Sequence, residues 1–283
     1  MIAKIAPDLR RVFDYAEASP WPDNTPDDVV IKCATRAVAD MLKSNDFCQQ
    51  PRIYRLAGQS GTGKTTQLLP TVTKIEEMRG NKPVTIAVRN FYTYHPQYKQ
   101  LLAEHGTGEI RERTNGFALK CLAVAVKQIL EMGYLTILDV TILAPQFEEF
   151  INTQIQSNGY TAQYHIMAVN RRQSEIFIRK RKGDIASVES GRAVHKATAN
   201  YFYDILPRGL EYLGRTDRRS TAIVWTAYDK VPIYRGDLRG AHLALTRGRR
   251  VFTPTLIYTE DDLRQSKLEF LYLYLYQVPY SPV

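Results

Sequence analysis

Cysteine is scarce: Cys33, Cys48 and Cys121 are the three in a chain of 283 residues, and no two form a C-x-x-C pair. That pattern argues against a disulfide scaffold and a structural zinc site, and it suits a reducing compartment. No such staple is needed, because 44% hydrophobic and 24% charged residues is ordinary globular composition for a chain of this length. Long apolar runs are also missing. No segment approaches the roughly 20 residues of a membrane span, and Met1 to Asp8 has no signal-peptide core. A cytoplasmic protein with no membrane partner is expected. There is no internal repeat, no low-complexity tract and no recognised nucleic-acid module. Arg247-Gly248-Arg249-Arg250 is a basic cluster only, and nucleic acid is not the expected partner. Acidic residues are outnumbered 29 to 38, giving a net charge of +9. Such a balance suits polyanions, nucleotide phosphates among them.

What is present alternates. Residues 7–18 and 29–42 have helical periodicity, separated by a Pro/Asp-rich connector, Ser19 to Asp28. Strands are expected at 52–57, 84–88, 134–138, 164–169 and 222–225. Helices are expected at 116–132, 146–156, 172–182 and 193–213, the last interrupted at Pro207. Strands alternating with helices predict an α/β fold with a mostly parallel sheet. Beyond about residue 236 the pattern weakens. Leu271 to Tyr276 alternates like a strand, but Ser266 onward suits a helix equally.

One motif carries chemistry. The first strand runs into Gly58-Gln59-Ser60-Gly61-Thr62-Gly63-Lys64-Thr65-Thr66, and a helix follows. Strand, glycine loop and helix form a P-loop, whose amides face the phosphates of a nucleoside triphosphate. Lys64 reaches the β- and γ-phosphates, and the Thr65 hydroxyl enters the Mg²⁺ shell. Gly58 to Thr66 are therefore the candidate nucleotide-binding residues, with ATP and Mg²⁺ as expected cofactors. Asp139 ends the apolar strand 134–138 at the edge where parallel sheets bind ligands, with Thr141 close behind. A carboxylate there can hold a metal-bound water or accept a hydroxyl proton. Arg179 and Arg192, 13 positions apart, could grip a transferring phosphoryl group, and the segment between them could form a lid. His95-Pro96 and the tyrosines at 92, 94 and 98 read as turn and packing residues.

Several ordered segments make the chain resemble the zeta toxins, P-loop kinases of bacterial toxin–antitoxin systems. They are the loop with Gln59 after its first glycine, Asn90-Phe91, His95-Pro96, Gly133-Tyr134 before Ile137-Leu138-Asp139-Val140-Thr141, Asn158-Gly159-Tyr160, the arginines at 179 and 192, and Leu206-Pro207 with Leu210-Glu211. The resemblance runs from about Leu56 to Asp229. It implies a P-loop kinase fold over 51–235, with a helical N-terminal extension over 1–50 and a C-terminal extension over 236–283. It also implies ATP-dependent phosphorylation of a UDP-sugar such as UDP-N-acetylglucosamine. Lys64, Asp139, Thr141, Arg179 and Arg192 would be the catalytic residues, and a small antitoxin would cover the nucleotide site. Three positions depart from the family. Arg89 stands where an aspartate base is usual, Ala123 where a glutamate is usual, and Leu143 where an arginine is usual. Asp139 is then the expected substitute base. Two other readings stay open: a different nucleotide or polynucleotide acceptor, or a silent nucleotide-binding protein.

Overall fold

The computed structural model describes residues 6–18, 23–43, 47–182, 196–226 and 232–250. Two helices open the chain, α1 (Pro7–Glu17) and α2 (Asp27–Met41). Pro7 starts α1 with a preset φ. Asp27 and Asp28 place negative charge at the positive end of the α2 dipole. Next come β1 (Arg52–Ala57), α3 (Leu69–Met78), β2 (Val84–Ile86), α4 (Tyr98–Arg113), α5 (Asn115–Glu131) and β3 (Thr136–Leu138). The chain continues through α6 (Pro145–Ser157), β4 (Thr161–Met167), α7 (Arg171–Lys182), α8 (Lys196–Thr216), β5 (Thr221–Trp225), β6 (Tyr234–Gly236) and α9 (Leu238–Gly248).

The six strands form one sheet in the order β2-β3-β1-β4-β5-β6, parallel except for β6, which pairs antiparallel with β5. Both faces are covered, and the two-residue strand period sorts the side chains between them. Ile53, Tyr164, Ile166 and Val224 join the core beneath α5, α6, α8 and α9, together with Phe13 and Val30 of the N-terminal helices. Tyr54, Leu56, Ile137, Met167 and Trp225 point the other way and pack with Val72 and Ile75 of α3. The N-terminal helices and α9 therefore belong to the core that the sheet organises. Among the described residues no helix is long and apolar enough to cross a membrane.

The structure corrects the sequence reading at several points. Pro207 does not interrupt α8, which is continuous from Lys196 to Thr216. Proline removes one helical donor, and the carbonyl it leaves open, that of Tyr203, accepts from Arg249 Nη1 at 2.8 Å. Strand β2 stops at Ile86 rather than 88, because Val88–Asn90 turns into a 3₁₀ helix in which Asn90 Oδ1 accepts from the Ala87 amide at 2.7 Å. Strand β4 begins at Thr161, earlier than expected, and β3 keeps only Thr136 to Leu138. Helix α4, β6 and α9 were not anticipated. The possible strand or helix beyond Ser266 lies outside the described residues.

Candidate functional site

The glycine loop leaves the end of β1, the strand flanked on both sides by parallel neighbours. Gly61 has φ +79°, and a Cβ there would lie 2.6 Å from the Ser174 carbonyl oxygen and 3.0 Å from Ile178 Cγ1. Only glycine lets the loop sit on the backbone of α7 this way. Gly63, at φ +92°, leads into a π-helical turn over Lys64–Leu68, and Gln67 N donates to its carbonyl at 2.7 Å. Lys64 reaches back over the loop, its Nζ donating to the Gly58 carbonyl at 2.5 Å. Thr62 Oγ1 donates to the Gln59 carbonyl at 2.9 Å, while Ser60 is half-buried and Thr66 is exposed.

The Gln59 side chain is buried and turned toward the scaffold. Its Nε2 donates to the Val169 carbonyl at 2.6 Å and to Ser174 Oγ at 2.9 Å. Its Oε1 accepts from Arg249 Nη2 at 3.0 Å. The Gln59 side chain is thus spent on the fold.

Because β3 lies beside β1, the residue that ends β3 arrives next to the loop. Thr65 Oγ1 donates to Asp139 Oδ2 at 3.2 Å, and Arg89 Nη1 donates to the same oxygen at 2.7 Å. The Asp139 side chain is 1% exposed and that of Arg89 36%. Asp139 Oδ1 and Thr141 Oγ1 are buried without a hydrogen-bond partner among the described residues. Hard oxygen donors beside the loop, two of them unpartnered, fit Mg²⁺. Among the described residues no three His, Cys, Asp or Glu side chains gather to hold a metal alone.

Helix α5 runs into β3, so its first turn stands at the loop end of the sheet, near the segment that follows β2. There Arg111 Nε donates to Tyr92 Oη at 3.1 Å, and Tyr92 Oη donates to Asn115 Oδ1 at 3.4 Å. Sequence reading missed this chain because its members are spread over three elements. Ala123 and Leu143 are fully packed in the core. His95 is buried, with Nε2 3.0 Å from Asp23 Oδ2 and its ring edge against Phe117, so it holds a turn as expected. Tyr94 Oη donates to Asp40 at 2.8 Å. Helix α7, which carries Arg179, packs its Ile178 on the glycine loop. The side chain of Arg179 lies outside the described residues, as do Arg192 and His195.

A glycine loop between the central strand and a helix, and an acidic residue closing the adjacent strand beside the loop threonine, define a P-loop protein of the kinase fold. The sequence model for "Zeta toxin" matches residues 35–238, and the chain belongs to the zeta toxin family. It is 24% identical over 202 residues to Toxin PezT of Streptococcus pneumoniae serotype 4, covering 71% of this chain and 75% of that protein. It is 22% identical over 179 residues to Toxin zeta of Streptococcus pyogenes, covering 62% of this chain and 61% of that protein. A solved structure from the PezAT chromosomal toxin–antitoxin system of S. pneumoniae is similar in fold. Its TM-score is 0.60 at 20% identity, covering 89% of this chain and 98% of that chain.

Proposed function

We propose that this protein is an ATP-dependent phosphotransferase that moves a γ-phosphoryl group to a sugar hydroxyl of a UDP-activated sugar, as the toxin of a toxin–antitoxin pair. The observation that carries the reading is the meeting of Thr65 and Asp139 at 3.2 Å beside the Lys64 loop, in a chain of the zeta toxin family. Loop amides and Lys64 would hold the triphosphate. Thr65 and Asp139 would hold Mg²⁺, which supplies charge neutralisation on the β- and γ-oxygens when bound. Arg179 and Arg192 are proposed to grip the transferring group, as arginine fingers do. Thr141 would contact the acceptor, with Asp139 Oδ1 as the proton acceptor. Phosphoryl transfer through a loose transition state asks mainly for charge and alignment, so losing the usual aspartate is chemically tolerable.

The acceptor side favours an anion. Arg89 replaces a carboxylate, and a guanidinium suits a UDP diphosphate. With Ala123 in the core instead of a polar contact, orientation of the sugar is less constrained, and use of several UDP-sugars follows. The names of the similar proteins support a protein antitoxin partner, which would act by covering the nucleotide site. The test is incubation with ATP, Mg²⁺ and a panel of UDP-hexoses and UDP-N-acetylhexosamines, with phosphate position mapped by NMR. Transfer to a sugar hydroxyl is expected. ATP turnover with no UDP-sugar product would move the acceptor to another nucleotide. One observation favours a second reading, a silent nucleotide-binding protein: Arg89 already occupies Asp139 Oδ2. Nucleotide binding without any turnover would select it.

A further inference from the structure

Within the basic cluster Arg247 to Arg250, Arg249 is 6% exposed. It lies past the end of the family match at residue 238. Its guanidinium donates to the Tyr203 carbonyl at 2.8 Å and to Gln59 Oε1 at 3.0 Å, and stacks 4.0 Å from the centre of the Tyr203 ring. Its own carbonyl accepts from Asn170 Nδ2 at 2.9 Å. Burial pulls the group down to about 10, which leaves it cationic at neutral pH. Among the described residues no carboxylate pairs with it. The charge of Asp204 acts on it only at longer range than an ion pair, and a buried cation without a paired counter-ion is expensive to keep, so its partners define its use. One is a helix carbonyl that Pro207 leaves open. The other is the Gln59 side chain of the glycine loop, which in turn bonds the carbonyl of Val169, two residues past β4, and Ser174 in the first turn of α7.

We propose that Arg249 is a positioning residue of the nucleotide site: through Gln59 it fixes the glycine loop against β4 and α7 before nucleotide binds. The inference rests on the reading of this loop as a nucleotide site. Arg249 reaches the glycine loop through Gln59. Pro207 is part of the device, because an ordinary residue there would supply its own amide to the Tyr203 carbonyl and compete for the place Arg249 takes.

The test compares Arg249→Ala, Gln59→Ala and the double variant by two measurements. The first is amide exchange of residues 58–68 without nucleotide. The second is the dissociation constant of a fluorescent ATP analogue. Arg249→Ala is expected to speed exchange in the loop while peptides of β2 and α5 exchange as in the parent, and to weaken binding about tenfold, the scale of losing a charged hydrogen bond. The double variant should bind no worse than Gln59→Ala alone, since the two residues form one path. Parental loop exchange in folded Arg249→Ala, or effects that add, would overturn the inference. If Arg249→Ala does not fold, Arg249→Lys keeps the charge but lacks the fork. Intermediate loop exchange is then expected, and parental exchange again overturns the proposal. A parent chain that binds no nucleotide would remove the proposed function, while the exchange comparison would still decide on Arg249.

Discussion

Lys64 and Arg89 are two cations at the same end of the sheet, and they have different origins. Lys64 follows Gly63 in a local motif, and its amine folds back on the Gly58 carbonyl. Replacing it with alanine is expected to abolish phosphoryl transfer with little change in melting temperature, since the Gly58 carbonyl it meets can be served by water. A folded Lys64→Ala protein with parental turnover would defeat the kinase reading. Arg89 reaches its partner from fifty positions away, and both it and Thr65 use the same oxygen of Asp139. Removing the competing cation in Arg89→Ala is expected to tighten nucleotide binding in the presence of Mg²⁺ and to leave binding without Mg²⁺ unchanged, as two calorimetric titrations would show. Asp139→Asn should lower turnover on the order of 10²-fold if the carboxylate takes the proton-acceptor role. The loop was legible because its glycines follow β1 directly, and Asp139 because it follows the apolar β3 directly. The Arg89–Asp139 pair was not, because no local pattern announces a contact between the ends of neighbouring strands.

At the scale of elements, helix α7 and the glycine loop form one unit. The loop rests on α7 through the Gly61 backbone, so a side chain at 61 meets both an unfavourable φ and the Ser174 carbonyl at 2.6 Å. Gly61→Ala is therefore expected to push α7 away from the loop. Nucleotide affinity should fall by more than tenfold, while the melting temperature drops by only a few degrees, the usual scale of a backbone strain of 1–3 kcal/mol or roughly that size. Parental affinity in Gly61→Ala would show that loop and helix are not coupled. Sequence pattern found the elements with a clear apolar period and missed those without one. Strand β6 is three residues long and exists because it pairs with β5. Helix α9 starts where the Asp237 side chain accepts from the Gly240 amide at 2.7 Å, a cap hidden among turn residues. Helix α4 bends at Gly106, whose φ of +69° and ψ of 179° lie outside the helical region, so no single apolar stripe runs along it. Pro207 misled for the opposite reason: its cost is local, and its remedy comes from Arg249, 42 positions on.

Across the whole molecule, the N-terminal helices are held to the sheet domain by apolar packing and by a buried polar seam. Lys120 of α5 donates to Glu17 at 2.7 Å and to the Asp23 carbonyl at 3.2 Å, while the Asp23 carboxylate lies 3.0 Å from His95 Nε2 and accepts from the Thr25 amide at 2.8 Å. Asp23 thus joins the connector between α1 and α2 to the segment after β2, close to Arg89 in sequence. Burial alone would raise its carboxyl, but the hydrogen bonds from His95 and Thr25 prevail and hold it below the usual carboxylate range. A carboxyl lowered on folding contributes stability above its unfolded value of about 3.9, and that contribution is lost as pH falls through the lower folded value. Asp23→Ala should therefore cost about 1.5–3 kcal/mol at pH 7, the scale of hydrogen bonds to a charged group. The gap to the parent should stay constant down to about pH 4, then narrow as acid protonates the parent's carboxyl. Urea unfolding of both proteins at a series of pH values measures this directly. A gap that widens in acid would reverse the assigned sign. A gap absent at pH 7 would mean that apolar contacts of α1 and α2 hold the N-terminal layer without the seam.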